Sequence, residues 1–258
     1  MTWEIFQGDH LEIMPKHIED ESIDLTVTSP PYDNLRDYDG YHFNFEGLAK
    51  ELYRVTKPGG VVVWVVGDTT VKGSETLTSF NQAICFKGTG FNVHDTMIYL
   101  KDGFTFPESN RYPNVFEYMF VFSKGAPRTF NPLVDRQNRN RGRKLTGTDR
   151  QKSGELKKIS GYGKELKDFG VRFNVWNIAN QKKNGYHPAP FPEQLVNDHI
   201  ISWSNPGDLV LDPMAGSGTV LKVAEQLGRN SIGIEISEEY CDIIKKRMAN
   251  FQMTIFNV

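Results

Sequence analysis

The stretch Leu209-Val-Leu-Asp-Pro-Met-Ala-Gly-Ser-Gly-Thr219 passes from a short apolar run through a turn with two glycines into a helical pattern. A strand, a glycine turn and a helix in this order form a unit from which α/β sheets are built. Gly216 and Gly218 tolerate positive φ angles and let a ligand approach the backbone closely. The first N–H groups of the following helix have no partner inside it, which favours a carboxylate or phosphate ligand. The stretch therefore predicts an α/β fold with a ligand site at this turn.

A carboxylate follows the turn at the spacing of a nucleoside site. Glu235 lies 23 residues after Asp212 and ends the next predicted strand, Ser231-Ile-Gly-Ile-Glu235. A carboxylate in this position accepts hydrogen bonds from both hydroxyls of a ribose. The turn lacks the Gly-Lys-Ser/Thr of a Walker loop and departs from the Gly-x-Gly-x-x-Gly form of dinucleotide sites. A nucleoside ligand is therefore favoured over a purely structural turn.

Strand and helix patterns alternate along most of the chain. The continuously apolar run Val61–Val66 is typical of a strand that is covered on both faces, and Lys57-Pro58-Gly59-Gly60 is predicted to stop the helix before it. The predicted strands are 23–28, 61–66, about 93–100, about 115–122, one near 173–178, 209–212 and 231–236, and the predicted helices are 46–55, about 75–88, about 193–203, 218–227 and 237–250. This alternation predicts a doubly wound α/β sheet.

The net charge of −2 conceals an uneven distribution. Residues 123–186 hold 16 Lys+Arg and 5 Asp+Glu, a balance of +11, whereas the rest of the chain holds 14 and 27, a balance of −13. The basic segment is rich in Gly and Asn and shows no helical or strand period, so it is predicted to be a loop-rich insertion. A basic segment in an acidic body indicates a surface that faces a polyanion, and the alternative is a solvated basic loop.

The composition excludes several classes of protein. No stretch approaches ~18 apolar residues, so no transmembrane helix is predicted. Residues 1–10 lack the basic and apolar regions of a signal peptide. Cys85 and Cys241 are far apart in the sequence, which predicts neither a disulfide framework nor a zinc site. We therefore expect a cytoplasmic protein without a bound metal and without a membrane partner.

A second motif follows the first predicted strand. Thr28-Ser29-Pro30-Pro31-Tyr32 lies at its carboxyl end, the edge at which open α/β sheets carry their active sites. The Ser29 hydroxyl and the Pro30 carbonyl offer two acceptors for an NH2 group, and Tyr32 offers a ring for stacking. Hydrogen bonds to both amino hydrogens favour an sp³-like nitrogen whose lone pair can attack a methyl group. A base must leave the helix stack to reach such a site, and the alternative is a rigid Pro-Pro turn.

Together, the two motifs resemble the SPPY-type amino-methyltransferases of restriction–modification systems, in the β arrangement. In that arrangement the catalytic motif precedes the cofactor motif, and a target-recognition region lies between them. The resemblance extends over nearly the whole chain, through Gly8-Asp9, Phe45–Gly60, Asn114–Lys124 and His187–Leu195. It implies a mostly parallel, seven-stranded Rossmann-like sheet, S-adenosylmethionine as cofactor, double-stranded DNA as substrate, and a prokaryotic or phage origin.

The resemblance also implies a role for particular residues and regions. The candidate catalytic residues are Ser29, Pro30, Pro31 and Tyr32. The candidate cofactor-binding residues are Gly8, Asp9, His187, Phe191, Asp212, Pro213, Ala215, Gly216, Ser217, Gly218, Thr219 and Glu235. The candidate DNA-binding residues are Arg136, Arg139, Arg141, Arg143 and Lys144. Residues 1–122 and 187–258 would form the catalytic and cofactor-binding parts of one domain, with 123–186 as the target-recognition insertion.

Several alternatives remain at the level of sequence. C5 methylation of cytosine requires a Pro-Cys nucleophile, whereas Cys85 follows Ile84 and Cys241 follows Tyr240, which argues against it. Related enzymes more often carry Ser in the Ser29 position for N4 of cytosine and Asp or Asn for N6 of adenine, so cytosine is favoured and adenine is the alternative. A catalytically silent DNA-binding subunit and an RNA substrate stay open. A cognate restriction endonuclease and a second copy of the chain are further expected partners.

Overall fold

The fold is described from a computed structural model, in which residues 2–30, 43–103, 109–179 and 191–256 are placed, with side chains up to residue 249. In these ranges the strands are β1 Trp3–Gln7, β2 Ile23–Thr28, β3 Thr56–Val66, β4 Thr70–Val71, β5 Ser74–Glu75, β6 Asn92–Leu100, β7 Phe116–Ser123, β8 Arg136–Gln137, β9 Thr148–Arg150, β10 Leu156–Lys158, β11 Phe169–Gly170, β12 Val175–Asn177, β13 Leu209–Asp212 and β14 Asn230–Glu235. The helices are α1 His10–His17, α2 Phe45–Val55, α3 Thr78–Thr89, α4 Glu193–Trp203, α5 Thr219–Gln226 and α6 Glu238–Phe256.

Eight of the described strands form one sheet in the order β1-β14-β13-β2-β3-β7-β6-β12. The pairs from β1 to β3 are parallel, β7 is antiparallel to both of its neighbours, and β12 is parallel to β6. The prediction of a doubly wound, mostly parallel α/β sheet is confirmed. The described sheet has one strand more than the seven expected. This additional strand is β12, which lies at the edge of the sheet although its residues fall in the range expected for the insertion.

Helices cover both faces of the sheet. Val62, Trp64 and Val66 of β3 pack into the core cluster that contains residues of α1, α2 and α3, and the valines between them are equally buried but lie outside that cluster. On the opposite face, the Nε2 atom of His199 in α4 lies 3.3 Å from the Sδ atom of Met119 in β7. Burial on both faces explains why β3 reads as an unbroken apolar run rather than an alternating one.

The stretch Lys57-Pro58-Gly59-Gly60 does not separate α2 from β3 as predicted, because β3 begins at Thr56. The pairing of β2 with β3 jumps from Ile23 opposite Thr56 to Leu25 opposite Val61, so the four residues form a bulge within the strand. Gly59 has a φ of 81° and donates its N–H to the carbonyl of Lys124 at 2.6 Å. The glycines therefore mark a bulge, which in sequence resembles a turn.

The residue pattern of the sequence does not reveal the first two elements. β1 pairs in parallel with β14 at the edge of the sheet. Helix α1 has eight residues and contains Pro15, a residue that usually indicates the end of a helix. Here Asp9 caps the helix start by accepting a hydrogen bond from the N–H of Leu11 at 2.7 Å. Neither element is long enough to show a clear hydrophobic period.

Residues 132–173 form a compact unit of their own, and the remainder of the chain forms the other unit. The smaller unit contains two antiparallel strand pairs, β8 with β11 and β9 with β10, joined by an isolated bridge between Lys144 and Glu165. We call this unit the basic ribbon. The presence of paired strands in the basic ribbon differs from the prediction of a loop-rich segment. Most of its residues are exposed, so no buried face imposes the period that would have revealed these strands.

Candidate functional site

The polar motifs lie at one edge of the sheet, where the parallel strands β2, β13, β14 and β1 end. In the pairing of these strands, Leu211 lies opposite Thr26, Asp212 opposite Gly233, and Gln7 opposite Glu235. The carboxyl ends of parallel strands share an edge, so the residues after each strand converge there. The sheet thus brings the segments after Thr28, Asp212, Glu235 and Gln7 to one side of the molecule.

The glycine turn has the backbone conformation that its sequence predicts. Gly216 and Gly218 have φ values of 52° and 77°, in the left-handed region. The N–H of Ala215 donates to the carbonyl of Ile234 at 2.8 Å, which fastens the turn to the end of β14. A Cβ atom on Gly218 would lie 2.8 Å from Cγ1 of Ile244 in α6. Glycine is therefore required at 218 both by conformation and by the close packing of α6.

Glu235 connects three segments of this edge. Its Oε2 accepts the N–H of Gly216 at 2.7 Å, and its Oε1 accepts the N–H of Ser237 at 3.0 Å. Its backbone carbonyl accepts the N–H of Gly8 at 2.9 Å. Burial raises the pKa of Glu235, and the backbone hydrogen bonds oppose this effect. Each carboxylate oxygen can accept a second hydrogen bond, which leaves capacity for the hydroxyls of a ribose.

Asp212 is buried, and its contacts lie within the protein. It is 4% exposed, and its Oδ1 accepts the hydroxyl of Thr28 at 2.8 Å and the N–H of Met214 at 3.2 Å. Burial raises the pKa of Asp212 to about 7, and the charge of Glu235 acts in the same direction. These bonds join the end of β2 to the start of the glycine turn.

The remaining candidate site residues differ in how deeply they are buried. Ser29 is half-buried and Pro30 is buried directly after β2, whereas Pro31, Tyr32 and His187 lie outside the described residues. Pro213, Ala215, Ser217, Gly218 and Thr219 are buried in or after the turn, and Gly8, Asp9, Gly216 and Phe191 are half-buried. Asp9, a candidate cofactor-binding residue, accepts a hydrogen bond from the N–H of Leu11 as the cap of α1.

Two residues that support the turn were not predicted from the sequence. Arg247 of α6 donates to the carbonyl of Ser217 at 2.8 Å and to Oε1 of Glu193 at 2.7 Å. Lys222 of α5 donates to the same Glu193 oxygen at 2.8 Å. The network ties α4, α5 and α6 to the turn. Glu193, the first residue of α4, lies in the segment His187–Leu195 that carries part of the resemblance, but nothing in the pattern of α6 marks Arg247.

The candidate DNA-binding residues of the basic ribbon fall into two groups. Arg139, Arg141, Arg143 and Lys144 are exposed. Arg136 is half-buried, donates to the carbonyl of Val171 at 2.9 Å, and lies 4.3 Å from the ring centroid of Phe173. Arg136 therefore has partners within the ribbon, while the other four side chains face solvent. No metal-binding group of His, Cys, Asp and Glu is found among the described residues.

The sequence profile of a family described as DNA methylase matches residues 23–246. The chain belongs to the N4/N6 amino-methyltransferase family of DNA methyltransferases. The orphan methyltransferase M.BamHII of Bacillus amyloliquefaciens is 56% identical over 248 residues, which cover 92% of this chain and 93% of that protein. The Type II methyltransferase M.MjaI of Methanocaldococcus jannaschii is 30% identical, with 93% and 91% covered. The family resemblance seen in the two motifs is thereby confirmed.

Solved structures share the fold of this methyltransferase. The PvuII DNA methyltransferase, described as cytosine-N4-specific, has a TM-score of 0.69 at 22% identity, covering 100% of this chain and 93% of that one. The DNA modification methylase TTHA0409 of Thermus thermophilus, complexed with S-adenosyl-L-methionine, has a TM-score of 0.67 at 24% identity, with 97% and 94% covered. In the described part of this methyltransferase, no helix has the length and apolar character needed to cross a membrane.

Proposed function

We propose that this DNA methyltransferase transfers the methyl group of S-adenosylmethionine to the exocyclic amino group of a flipped base, with N4 of cytosine as the target atom. The observation that carries the proposal is the position of Ser29 and Pro30 directly after β2, beside the glycine turn that follows β13. N6 of adenine is the alternative target within the same family.

S-adenosylmethionine fits the residues at the sheet edge. M1.HpyAVI and TTHA0409, which share the fold, are both known as complexes with this cofactor. Glu235, with acceptor capacity left on its oxygens, would hold the ribose, and the turn at Gly216–Gly218 would admit the cofactor close to the backbone. When bound, the cofactor supplies an electrophilic methyl group on a positively charged sulfur.

The residues of the protein would act by positioning the amino group of the target base. Ser29 Oγ and the Pro30 carbonyl would each accept one amino hydrogen of the target base. These bonds withdraw the lone pair of the nitrogen from the ring, so that it points to the methyl group. Tyr32 would stack on the base, as the motif predicts. The new nitrogen–carbon bond would form as the bond between the methyl carbon and the sulfur of the cofactor breaks, so that S-adenosylhomocysteine leaves and the amino group releases one proton to water.

Ser29 favours cytosine over adenine. This preference rests on the family resemblance, in which Ser is commoner for N4 of cytosine and Asp or Asn for N6 of adenine. A hydroxyl oxygen accepts an amino hydrogen of either base, so the chemistry of the residue leaves adenine as the second candidate.

The basic ribbon is proposed to contact the DNA. Arg139, Arg141, Arg143 and Lys144 are exposed, which suits contacts with phosphates and with base edges. A two-stranded antiparallel ribbon fits the major groove of DNA, where an arginine reads guanine with two hydrogen bonds. The four side chains would fix the register of the protein on the duplex and contribute to its target sequence.

One experiment identifies the methylated base. The purified protein is incubated with S-adenosylmethionine and genomic DNA from a strain that lacks methyltransferases, and the DNA is digested to nucleosides. Mass spectrometry should detect N4-methylcytosine, and single-molecule sequencing should place it in a defined site. N6-methyladenine without N4-methylcytosine would overturn the cytosine assignment, and no methylated base would favour a silent DNA-binding subunit.

The role of Ser29 has its own test. Ser29→Ala removes one acceptor of the amino group, so turnover on DNA should fall by ~10²-fold or more. The affinity for S-adenosylmethionine, measured by calorimetry, should stay within about threefold because Ser29 would face the base. Wild-type turnover in this variant would contradict the role.

Further expectations from the sequence stay predictions: a cognate restriction endonuclease, a homodimer, the cytoplasmic location and the division of the chain at residues 123 and 186.

A further inference from the structure

The hydroxyl of Thr28 and the carboxyl of Asp212 form a buried hydrogen bond between the two motifs. The Oγ1 atom of Thr28 donates to Oδ1 of Asp212 at 2.8 Å, across 184 residues of sequence. Thr28 is 0% exposed and Asp212 is 4% exposed, so water does not compete for either group. Such a bond is stronger and more directional than its equivalent at the surface.

The two residues stand immediately before the segments that would carry out the reaction. Thr28 is the last residue of β2 and precedes Ser29, and Asp212 is the last residue of β13 and precedes the turn. The same oxygen of Asp212 also accepts the N–H of Met214, inside the turn. One atom therefore holds the ends of two neighbouring strands and the first residues of the turn.

Direct backbone pairing between β2 and β13 does not reach this point, although Thr28 pairs with Trp64 of β3 and Asp212 with Gly233 of β14. The described register between β13 and β2 consists of Val210 with Leu25 and Leu211 with Thr26, and it stops before either strand ends. The Thr28–Asp212 bond continues the connection between β2 and β13 beyond their last paired residues.

We propose that Thr28 is a positioning residue for methyl transfer. Through its bond to Asp212, it holds Ser29 and Pro30 in register with the glycine turn. The inference rests on the proposed roles of Ser29 and of the turn. In-line transfer depends on the distance and angle between nitrogen and methyl carbon, and a misplacement of about 1 Å lowers a rate by ~10²-fold. Loss of the bond should therefore lower kcat far more than it changes the affinity for the cofactor.

The chain offers a matched control on the same strand. Thr26 is also 0% exposed in β2, and its Oγ1 has no hydrogen-bond partner among the described residues. Thr28→Val and Thr26→Val thus make the same change of shape and polarity at two equally buried positions. They differ in whether a hydrogen bond is lost. Thr28→Ser keeps the hydroxyl and removes only a methyl group.

The test compares kcat per cofactor-binding site, the KM for DNA, the calorimetric Kd of S-adenosylmethionine and the melting temperature. Thr28→Val should lower kcat by ~10- to 100-fold with a Kd within about threefold of wild type. Thr28→Ser should recover kcat to within about threefold, and Thr26→Val should match wild type. A merely structural role would instead lower the melting temperature and the number of binding sites and leave kcat per site unchanged.

Two results would overturn this inference and leave the proposed function intact. In the first, Thr28→Val has the same kcat as Thr26→Val. In the second, Thr28→Ser is as slow as Thr28→Val. Failure of the proposed function is a different outcome, and it is detected in wild type and in Ser29→Ala before the Thr28 variants are compared. In that case wild type yields no methylated base, or Ser29→Ala turns over like wild type. Either result removes the reaction for which Thr28 is proposed to position residues, and it overturns both proposals.

Discussion

Asp212 is a buried acid whose pKa lies close to neutral pH. Burial raises its pKa to about 7 from an ordinary value of 3.8, and the bonds from Thr28 and Met214 oppose the increase. Folding therefore favours the protonated form. The stability that this preference contributes is complete below about pH 3.8 and is lost as the pH rises through about 7.

Asp212→Asn should change how stability depends on pH. The neutral amide has no charged form, so the free energy of unfolding of the variant, relative to wild type, should increase from pH 4 to pH 8. Urea unfolding at several pH values measures this difference. Asp242→Asn, at an exposed position of α6, makes the same chemical change outside the core and is the control. A pH-independent difference for Asp212→Asn would contradict the raised pKa.

Glu235 should be necessary for tight binding of the cofactor. Glu235→Ala removes the acceptor of the Gly216 and Ser237 N–H groups and the proposed partner of the ribose. We expect the binding of S-adenosylmethionine to weaken by roughly 1–3 kcal/mol in calorimetry. Glu239→Ala, at an exposed position of the following helix, should leave the affinity unchanged. Equal affinities in both variants would place the cofactor elsewhere.

At the scale of elements, the turn between β13 and α5 is held from several sides. Its backbone is fixed by β14 and Glu235, its glycines take positive φ, and Arg247 of α6 holds the carbonyl of Ser217. Close packing leaves no room for a side chain at Gly218, so a small change there would reach the proposed cofactor site through the turn itself.

Gly218→Ala tests this packing against Gly207→Ala. Both glycines have positive φ, at 77° and 90°, but a Cβ on Gly207 meets no atom of the described residues within 4 Å, whereas one on Gly218 would overlap Ile244. Gly207→Ala should cost about 1–2 kcal/mol of stability through its backbone conformation alone. Gly218→Ala should cost more and should also weaken the binding of S-adenosylmethionine. Equal losses of stability and unchanged binding would show that the turn adjusts freely.

At the scale of the whole molecule, charge is separated between the two units. The acidic balance belongs to the rest of the chain, while the basic segment 123–186 contains the ribbon at 132–173. The net positive balance of this segment should steer DNA toward it, because the net negative balance of the rest of the chain repels the phosphates.

Neutralising the ribbon should weaken DNA binding without affecting the cofactor. In a variant with Arg139, Arg141, Arg143 and Lys144 changed to Gln, each lost phosphate contact should reduce the salt slope of binding by about 0.9. Fluorescence anisotropy on duplex DNA at several salt concentrations measures the slope, and calorimetry measures the binding of S-adenosylmethionine.

A variant with four exposed lysines of the larger unit changed to Gln is the charge-matched control: Lys16, Lys50, Lys87 and Lys246. This control variant should retain the salt slope and the DNA affinity of wild type. If the two variants bind DNA equally, recognition does not depend on the ribbon arginines. A relaxed target sequence in the ribbon variant alone would indicate that at least one of its residues contacts base edges.

The sequence by itself determined the local units and their order. β2 and β13 occupy the predicted ranges Ile23–Thr28 and Leu209–Asp212, because short apolar runs that end at proline or glycine need no information from elsewhere in the chain. The same holds for the positive φ of Gly216 and Gly218. The order of the two motifs was also sufficient to identify the family, since each motif is contiguous.

Only the tertiary structure decided which distant side chains meet. The bond between Thr28 and Asp212 and the contact of Arg247 with Ser217 depend on strand order, register and helix packing, none of which leaves a period in the sequence. The strand predicted near 173–178 is observed as β12, but the sequence does not reveal that it pairs with β6. The strands of the basic ribbon, most of whose residues are exposed, are not recognisable in the sequence at all. A strand without a buried face carries no alternation, so its pairing is determined by partners that lie far away in the chain.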